Sequence, residues 1–411
     1  MDRPLSAMQV ISNLEIGGAQ EMVRTLSENL QKLGCASVVV TFKDGPLRLG
    51  IEAAGIPVEI LPARKHSIVA LPLFLLDMWR TRAALLELAR KYHANVIQTH
   101  LLRSLDFLVL SLRWGRDVRI FWTIHNARFE LREEHLARNR WLFQPKRWGY
   151  QALYTLGVRA VSGMVAVSEE VKASILRTWK GIPGEKIVAI PNSVDVDRYA
   201  ERGGREALRR ALGIGEQHTV AAVVATLKEQ KGHRCLLEAL PEVIDGFPEF
   251  HLLIIGDGEL RATLEAQAQG LRLEKSVHFL GQRSDIPALL AASDLFILPS
   301  LWEGLPMALI EAMASGLPVI ASRVSGTEQV MRDGETGLLV PPGDVSELKR
   351  AILEMLVHPG RMIEMGKAAR RRVEAHFSAR QQAQAHLDLY ISAWQQRGLS
   401  EFTAFKEVTH E

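Results

Sequence analysis

The sequence predicts an α/β protein of two consecutive domains, each built around a parallel β-sheet. Short apolar runs rich in β-branched residues alternate with longer amphipathic segments, as in a parallel sheet covered by helices on both faces. This alternation stops once, at 191–204, and then begins again. The length of 411 residues also exceeds that of one domain, since domains usually contain about 100–200 residues.

The first half supplies the elements of one domain, over 1–195. Its candidate strands are short and apolar without alternation, as expected of strands buried on both faces. They are 9–12, 37–41, 58–61, 96–99, 119–123, 163–167 and 187–190, and the clearest helices among them are 19–32 and 81–92.

The second half repeats the pattern over 205–377. The segment before it contains Pro191, Asn192 and a Gly203–Gly204 pair, which is typical of a hinge between domains. Strands are predicted at 220–225, 251–255, 277–280, 295–298 and 319–321, and helices at about 233–244, 259–269, 286–292 and 306–314. The residues from about 378 to 411 are predicted as helix, and their pattern alone does not decide which domain they pack on.

Composition excludes several classes of protein. Hydrophobic residues make up 47% and charged residues 24%, which is ordinary for a globular protein. The 50 Lys and Arg against 47 Asp and Glu give a net charge of +3, too balanced to indicate nucleic acid as a partner. The start lacks a signal-peptide pattern, and the longest apolar stretch, at 68–78, is shorter than the about 20 residues of a spanning helix. We therefore expect a cytoplasmic protein.

Two candidate sites lie in the first half. Gly17 and Gly18 follow the first strand and open the first helix, where free N–H groups and the helix dipole favour a phosphate. The alternative is a plain tight turn. His125 follows a central strand, where ligands of open α/β sheets bind, and could donate to a sugar hydroxyl or phosphate oxygen or move a proton. The alternative is a structural histidine at a strand end, and this reading is favoured for His100.

Two loops of the second half carry similar signals. Lys228 and Lys231 follow its first strand, where an ammonium could meet a diphosphate, although a solvated charged loop is the commoner case. Gly256 begins a Gly-Asp-Gly turn after the next strand and allows close approach of a ligand to the backbone.

The stretch 299–316 is the most specific. Glu303 lies in a loop, and Glu311 follows among the apolar residues of a predicted helix that begins near Pro306. A carboxylate in such surroundings needs partners, and the hydroxyl pairs of ribose and sugar would suit it. The alternative is a structural arginine as the partner of Glu311.

These motifs, in this order, resemble the large retaining GT-B family known as glycosyl transferases group 1, or family four. The resemblance spans about 8 to 395. It rests on Gly17-Gly18, the Pro-Asn-Ser-Val-Asp segment at 191–195, Lys231-Gly232, Gly256-Asp257-Gly258 and the Glu303-x7-Glu311 pair. It implies two Rossmann-like domains whose parallel sheets face across a cleft, with the last helix packing back on the first domain. The first domain would lie on the acceptor side, and the second would bind the donor.

The resemblance also implies roles for individual residues. The amides of Gly17 and Gly18 would meet the donor diphosphate, and His125 would lie near the donor sugar and phosphate. Lys231 would neutralise the diphosphate, Glu303 would reach the sugar, and Glu311 would bind the ribose hydroxyls. The further donor-binding candidates are Lys228, Gly256, Arg283 near the base, and Gly304, Leu305 and Pro306 after Glu303. Many members carry Arg where this chain has Thr226, and Lys228 could supply the missing charge.

The implied reaction is transfer of a sugar from a nucleotide-diphosphate donor to an acceptor hydroxyl, with retention and without metal or other cofactor. The leaving phosphate would help deprotonate the acceptor, as no obvious nucleophilic carboxylate is present. Two alternatives stay open: a GT-B protein that binds nucleotide sugar without transferring it, and a sugar-nucleotide epimerase.

The acceptor is expected on the first domain and to be a sugar or a lipid-linked sugar, as in envelope polysaccharide, lipopolysaccharide or glycolipid synthesis. Basic and aromatic residues interleave over 128–150, which favours peripheral contact with the inner face of a membrane. The alternative for 128–150 is a cationic amphipathic helix whose aromatic residues lie in the core.

Overall fold

The computed structural model describes residues 4–62, 71–100, 104–113, 117–125, 155–178, 182–200 and 204–395. These residues form two compact units, one containing the described residues up to Asn192 together with 379–395, and the other containing 193–378. The expected fold class, two parallel-sheet α/β domains, is confirmed. The stretch 128–150 lies outside the described residues.

The first unit contains a seven-stranded parallel sheet with the order β3-β2-β1-β4-β5-β6-β7. Its strands are β1 Ser6–Ile11, β2 Ala36–Thr41, β3 Val58–Ile60, β4 Val96–His100, β5 Arg119–Ile124, β6 Gly163–Ala166 and β7 Ile187–Ala189. Its helices include α1 Gly18–Lys32, α2 Leu47–Ala53, α3 Leu71–Lys91, α4 Ser104–Leu110 and α5 Glu169–Thr178. The chain places β1 in the middle of the sheet, adds β2 and β3 on one side of it, and then adds β4 to β7 on the other side. The neighbours β1 and β4 therefore form the switch point of the sheet.

The second unit contains a six-stranded parallel sheet with the order β10-β9-β8-β11-β12-β13. Its strands are β8 Thr219–Val224, β9 Phe250–Ile255, β10 Val277–Gly281, β11 Leu295–Leu298, β12 Val319–Ser322 and β13 Gly337–Val340. Its helices include α6 Arg205–Ala211, α7 His233–Gly246, α8 Arg261–Gly270, α9 Ile286–Ala291, α10 Met307–Ala314, α11 Ser325–Val330, α12 Val345–Val357 and α13 Pro359–His376. Here β8 and β11 are the neighbours at the switch point.

The last described helix, α14 (Ala379–Trp394), belongs to the first unit. It packs beside α1 and adds Ala383, Leu389 and Tyr390 to the apolar core of that unit. The chain therefore passes from the first unit to the second and back again.

Among the elements that differ from the sequence prediction are α3, β13 and α10. Helix α3 begins at Leu71 rather than at Thr81. Pro72 is compatible with this start, because it lies at the second position of the helix, where no intrahelical N–H bond is required. Strand β13 was not predicted, since Gly337 at its start and Pro341 just after its end are typical of a loop. Pro306 precedes α10 as its N-cap, in an extended conformation, and the helix begins at Met307.

In the described part of the chain, no helix combines the length and the apolar character needed to cross a bilayer.

Candidate functional site

The carboxyl ends of β8 and β11 hold an ion pair between Lys231 and Glu303. The Lys231 Nζ donates to Glu303 Oε1 over 2.5 Å, and Ser300 Oγ donates to the same oxygen over 2.7 Å. The side chains are 19% and 6% exposed. The pair therefore brings together two residues predicted as catalytic, whose positions in the sequence are far apart.

The two loops that carry this pair are held together by their backbones. Leu301 N donates to Gln230 O over 2.8 Å, and Gln230 Nε2 donates to Trp302 O over 2.8 Å. At Gly232, where φ is +66°, a Cβ would lie 2.0 Å from the carbonyl oxygen of Pro299. The loop approaches the neighbouring strand so closely that only glycine fits.

The loop after β9 joins the same edge of the sheet. Gly256 has a φ of +138°, and a Cβ there would lie 2.0 Å from the carbonyl oxygen of Ala225. Leu227 N donates to Asp257 O over 3.0 Å, which ties the β8 and β9 loops together. Gly256 thus shapes the loop around Lys231.

Glu311 is buried in α10 at 8% exposure. The helix is reached through Gly304, Leu305 and Pro306, of which Leu305 and Pro306 are buried. Because proline has no N–H, Pro306 cannot donate a backbone hydrogen bond to a ligand, and the backbone donors between Glu303 and α10 end at Leu305. The expected contact between Pro306 and the donor stays a prediction.

Lys228 and Arg283 differ in their surroundings. Lys228 is exposed, as is Thr226, so its ammonium is accessible to a ligand. Arg283 is partly exposed and donates through Nε and Nη2 to the Asp285 carboxylate over 2.7 and 2.6 Å. This ion pair holds the pKa of Asp285 below its usual value. A nucleotide base that contacted Arg283 would have to share its guanidinium group with Asp285.

In the first unit, Gly17 is the N-cap of α1 and Gly18 its first residue. No side chain caps this helix end at Gly17. Asn13 accepts hydrogen bonds from the Glu15 backbone over 3.1 Å and from Gln20 Nε2 over 2.8 Å, which orders the turn before the helix. The arrangement leaves a helix N-terminus of the kind that binds anions.

His125 follows β5, is partly exposed, and begins a chain of hydrogen bonds that leads into the core of the unit. This chain, the histidine relay, consists of His125, His100, Gln9, Tyr390, Gln98 and Thr123. His125 Nε2 lies 3.3 Å from His100 Nδ1, and His100 Nε2 lies 2.9 Å from Gln9 Oε1. Gln9 Nε2 donates to Tyr390 Oη over 3.4 Å.

The relay then returns to the sheet. Tyr390 Oη donates to Gln98 Oε1, and Gln98 Nε2 donates to Thr123 Oγ1 over 2.6 Å. The parallel register explains the geometry, since Gln9 pairs with Gln98 on adjacent strands and His100 pairs with Thr123.

Burial keeps the histidines of this region neutral. It lowers the pKa of His125 to about 4, and it lowers the pKa of His100 well below its usual value, with His125 and His386 as further causes. His386, on α14, is fully buried, and its ring nitrogens have no hydrogen-bond partner among the described residues. Burial, with a further effect of His125, lowers its pKa to about 3.

Sequence reasoning missed several of these residues. Ser300 carries no signal beyond its place in the 299–316 stretch. Gln9 and Gln98 do carry one, because each is an amide within an otherwise apolar strand, and a buried polar group needs a partner. His100 was interpreted as structural, and it is fully buried and contacts His125 directly.

Family models match most of the chain. The model described as Glycosyl transferases group 1 matches 204–372, and the model described as Glycosyltransferase Family 4 matches 16–198. The two matches together cover both units.

Curated relatives are glycosyltransferases with different donors. The chain is 28% identical over 312 residues to UDP-Gal:alpha-D-GlcNAc-diphosphoundecaprenol alpha-1,3-galactosyltransferase of Escherichia coli, covering 75% of this chain and 78% of the relative. It is 33% identical over 234 residues to GDP-mannose-dependent monoacylated alpha-(1-6)-phosphatidylinositol monomannoside mannosyltransferase of Corynebacterium glutamicum, covering 54% of this chain and 61% of the relative.

Among solved structures, HepE of Anabaena, crystallised with UDP and glucose, matches with a TM-score of 0.79. The identity is 21%, and the match covers 94% of this chain and 100% of the neighbour. At this identity the likeness establishes the fold.

Proposed function

Because this chain belongs to the glycosyl transferases group 1 of the GT-B fold, we propose that it transfers a sugar with retention from a nucleotide-diphosphate sugar to an acceptor hydroxyl, without a bound metal. The comparisons support glycosyltransferase activity with a nucleotide-sugar donor. The observation that carries the finer proposal is the Lys231–Glu303 pair at the switch point of the second unit.

Lys231 is proposed to neutralise the leaving diphosphate. An ammonium has three N–H donors, so Lys231 can keep its bond to Glu303 and still donate to a phosphate oxygen. Glu303 and Ser300 hold the ammonium in place before the donor arrives, which reduces the reorganisation needed as charge develops. Glu303 has a second carboxylate oxygen for a donor-sugar hydroxyl.

The exposed Lys228 and the backbone N–H groups of Gly304 and Leu305 are proposed to stabilise the rest of the negative charge on the diphosphate. In the part of the chain that the structure describes, no three His, Cys, Asp or Glu side chains form a group that could hold a metal ion. Lysines and amides are the groups that we propose to stabilise the leaving diphosphate. In the first unit, the helix end at Gly17–Gly18 is proposed to meet phosphate and His125 to contact the donor sugar.

The nucleotide site can be tested without knowing the sugar. Thermal unfolding is measured with UDP, GDP, ADP, dTDP and CMP, on wild type, on Glu311→Ala and on the surface control Glu364→Ala. A ligand at 100 times its Kd adds about 2.7 kcal/mol of stability, which is a readable shift for a protein of this size. We expect one nucleoside diphosphate to shift wild type and the control, and to lose its effect in Glu311→Ala.

An absence of any shift would contradict the donor site. Once the donor is identified, transfer is measured with wild type and Lys231→Met, for which kcat is expected to fall about 10²- to 10³-fold. Donor binding without transfer by wild type would favour a non-catalytic binding protein, and release of free nucleotide without an acceptor would favour an epimerase. The anomeric configuration of the product tests retention.

We further propose a lipid-linked acceptor and peripheral contact with the membrane. The E. coli and C. glutamicum relatives are named for acceptors carried on undecaprenol diphosphate and on phosphatidylinositol. In this chain, the first turns of α3 expose Leu73, Leu75, Leu76 and Trp79, with Leu75 at 56% and Trp79 at 66%. Exposed Arg80 follows them, and the combination of leucine, tryptophan and arginine suits a bilayer interface.

Flotation with liposomes containing phosphatidylglycerol tests this contact. We expect wild type to float with the liposomes, Leu75→Ser/Trp79→Ser to stay in solution, and Leu49→Ser, a change at an even more exposed leucine on α2, to float. Wild type that fails to float would exclude this membrane contact, and flotation of the double variant would exclude α3 as its site.

A further inference from the structure

We propose that α14 fixes the tautomer of His125 through the histidine relay, so that His125 offers a lone pair at Nδ1 and acts as a hydrogen-bond acceptor. Tyr390, Gln9 and His100 are then positioning residues. The consequence for the reaction rests on the proposed function of His125, whereas the tautomer itself does not.

The direction of each hydrogen bond in the relay follows from the one that the Tyr390 hydroxyl donates. Its single hydroxyl proton goes to Gln98 Oε1, so its oxygen accepts from the amide of Gln9. This turns the Gln9 carbonyl oxygen toward His100 Nε2 at 2.9 Å. A carbonyl oxygen can only accept, so His100 carries its proton on Nε2.

The tautomer of His100 then decides that of His125. With its proton on Nε2, neutral His100 presents an unprotonated Nδ1 to His125 Nε2 at 3.3 Å. His125 must donate in this contact, so its proton is on Nε2 and its Nδ1 is unprotonated. The second nitrogen of a histidine is set by the hydrogen bond that the first one makes.

His386 reinforces the neutral state of this pair. It lies four residues before Tyr390, on the same face of α14, and the two rings are 6.0 Å apart. It is fully buried and lies close enough to His100 to disfavour a positive charge there. A proton added to His125 would go to Nδ1 and would leave its hydrogen bond to His100 in place, but it would put a positive charge beside two fully buried histidines.

The relay therefore distinguishes two roles that the sequence left open. A neutral His125 with an unprotonated Nδ1 can accept a hydrogen bond from a sugar hydroxyl. It cannot donate through Nδ1 to a phosphate oxygen. His125 is accordingly assigned to a hydroxyl of the donor sugar rather than to the diphosphate.

Nuclear magnetic resonance of protein labelled with ¹⁵N at the histidine rings tests the tautomer directly, because protonated and unprotonated ring nitrogens have well-separated shifts. His125→Asn and His100→Asn spectra assign the two rings. In wild type at neutral pH, we expect His125 to show a protonated Nε2 and an unprotonated Nδ1. In Tyr390→Phe, the Gln9 amide is free to reverse, and both His125 nitrogens are expected to move toward intermediate shifts.

Tyr92→Phe is the matched control, since Tyr92 loses a hydroxyl bonded to Glu59 in the same unit, outside the relay. Gln9→Glu is expected to keep the wild-type tautomer, because a carboxylate also accepts from His100 Nε2. A proton on His125 Nδ1 in wild type would overturn the proposal, and so would an unchanged His125 pattern in folded Tyr390→Phe. These spectra are recorded without a sugar donor. A wild-type spectrum that shows the expected tautomer therefore supports the proposal even if no nucleotide shifts the thermal midpoint.

Discussion

Lys231 and Glu303 illustrate how two opposite charges are held together at a poorly solvated site. Both side chains are largely removed from water, and the bond between them is 2.5 Å long. Loss of one partner leaves the other charge without compensation in a poorly solvated place, which costs more than the intact pair contributes.

A double-mutant cycle on this pair follows at the residue scale. We expect Lys231→Met and Glu303→Gln each to lower the free energy of unfolding by about 3 kcal/mol. The double variant should be destabilised by clearly less than the sum, because neither charge is then left alone. Denaturant unfolding of the three variants and wild type provides the measurement, and strict additivity would mean that the two charges do not interact.

Helix α14 matters to the first unit as a core element. Ala383, Leu389 and Tyr390 lie in its apolar core, and Tyr390 contacts strands β1 and β4 through Gln9 and Gln98. A buried leucine side chain alone contributes about 1.5–3 kcal/mol, against a total stability of about 5–15 kcal/mol for a typical protein.

Removal of α14 is therefore expected to unfold the first unit while the second keeps its structure. The test is limited proteolysis of a chain that ends at Ser378, with a chain that ends at Gln395 as control. The shorter chain should yield a resistant fragment from 204–378 only, and the control should be as resistant as the full chain in both units. Equal resistance of the first unit in the two chains would show that α14 is dispensable for folding.

The sequence was most informative about strands, because those at the centre of a parallel sheet are continuous apolar runs. It was least informative about β13, where Gly337 packs against Val319 so closely that a Cβ would lie 1.9 Å from the Val319 carbonyl oxygen. Such close approach depends on tertiary structure. For the same reason, the resemblance pointed to Lys231 and Glu303 separately, but not to their bond, and Tyr390 is 381 positions from its partner Gln9.

At the scale of the whole molecule, buried histidines in both units make stability depend on pH. Burial lowers the pKa of His125 in the first unit to about 4 and that of His386 to about 3. In the second unit, burial lowers the pKa of His233 and of His251 to about 4. The unfolded chain takes up a proton on each near pH 6.5, whereas the folded chain resists until lower pH.

Between about pH 6.5 and 4 the unfolded state thus binds more protons, and stability falls as pH falls. Asp106 acts in the opposite direction, because burial raises its pKa to about 7, but it is one group against these four histidines and His100. We expect the thermal midpoint to fall steadily from pH 7 to pH 4.5, and the fall to be shallower in His251→Gln. A midpoint that rises on acidification would contradict the neutral, buried state of these histidines.

The return of α14 to the first unit has a consequence for synthesis. Translation delivers β1 to β7 first, but the helix that completes their core leaves the ribosome only after the whole of the second unit. Domains ordinarily fold in the order in which they emerge. Here the unit made first must wait, with the apolar surface of α1 and the amides of Gln9 and Gln98 uncovered, until α14 has been made. A nascent chain released early would carry a finished second unit and an open first one.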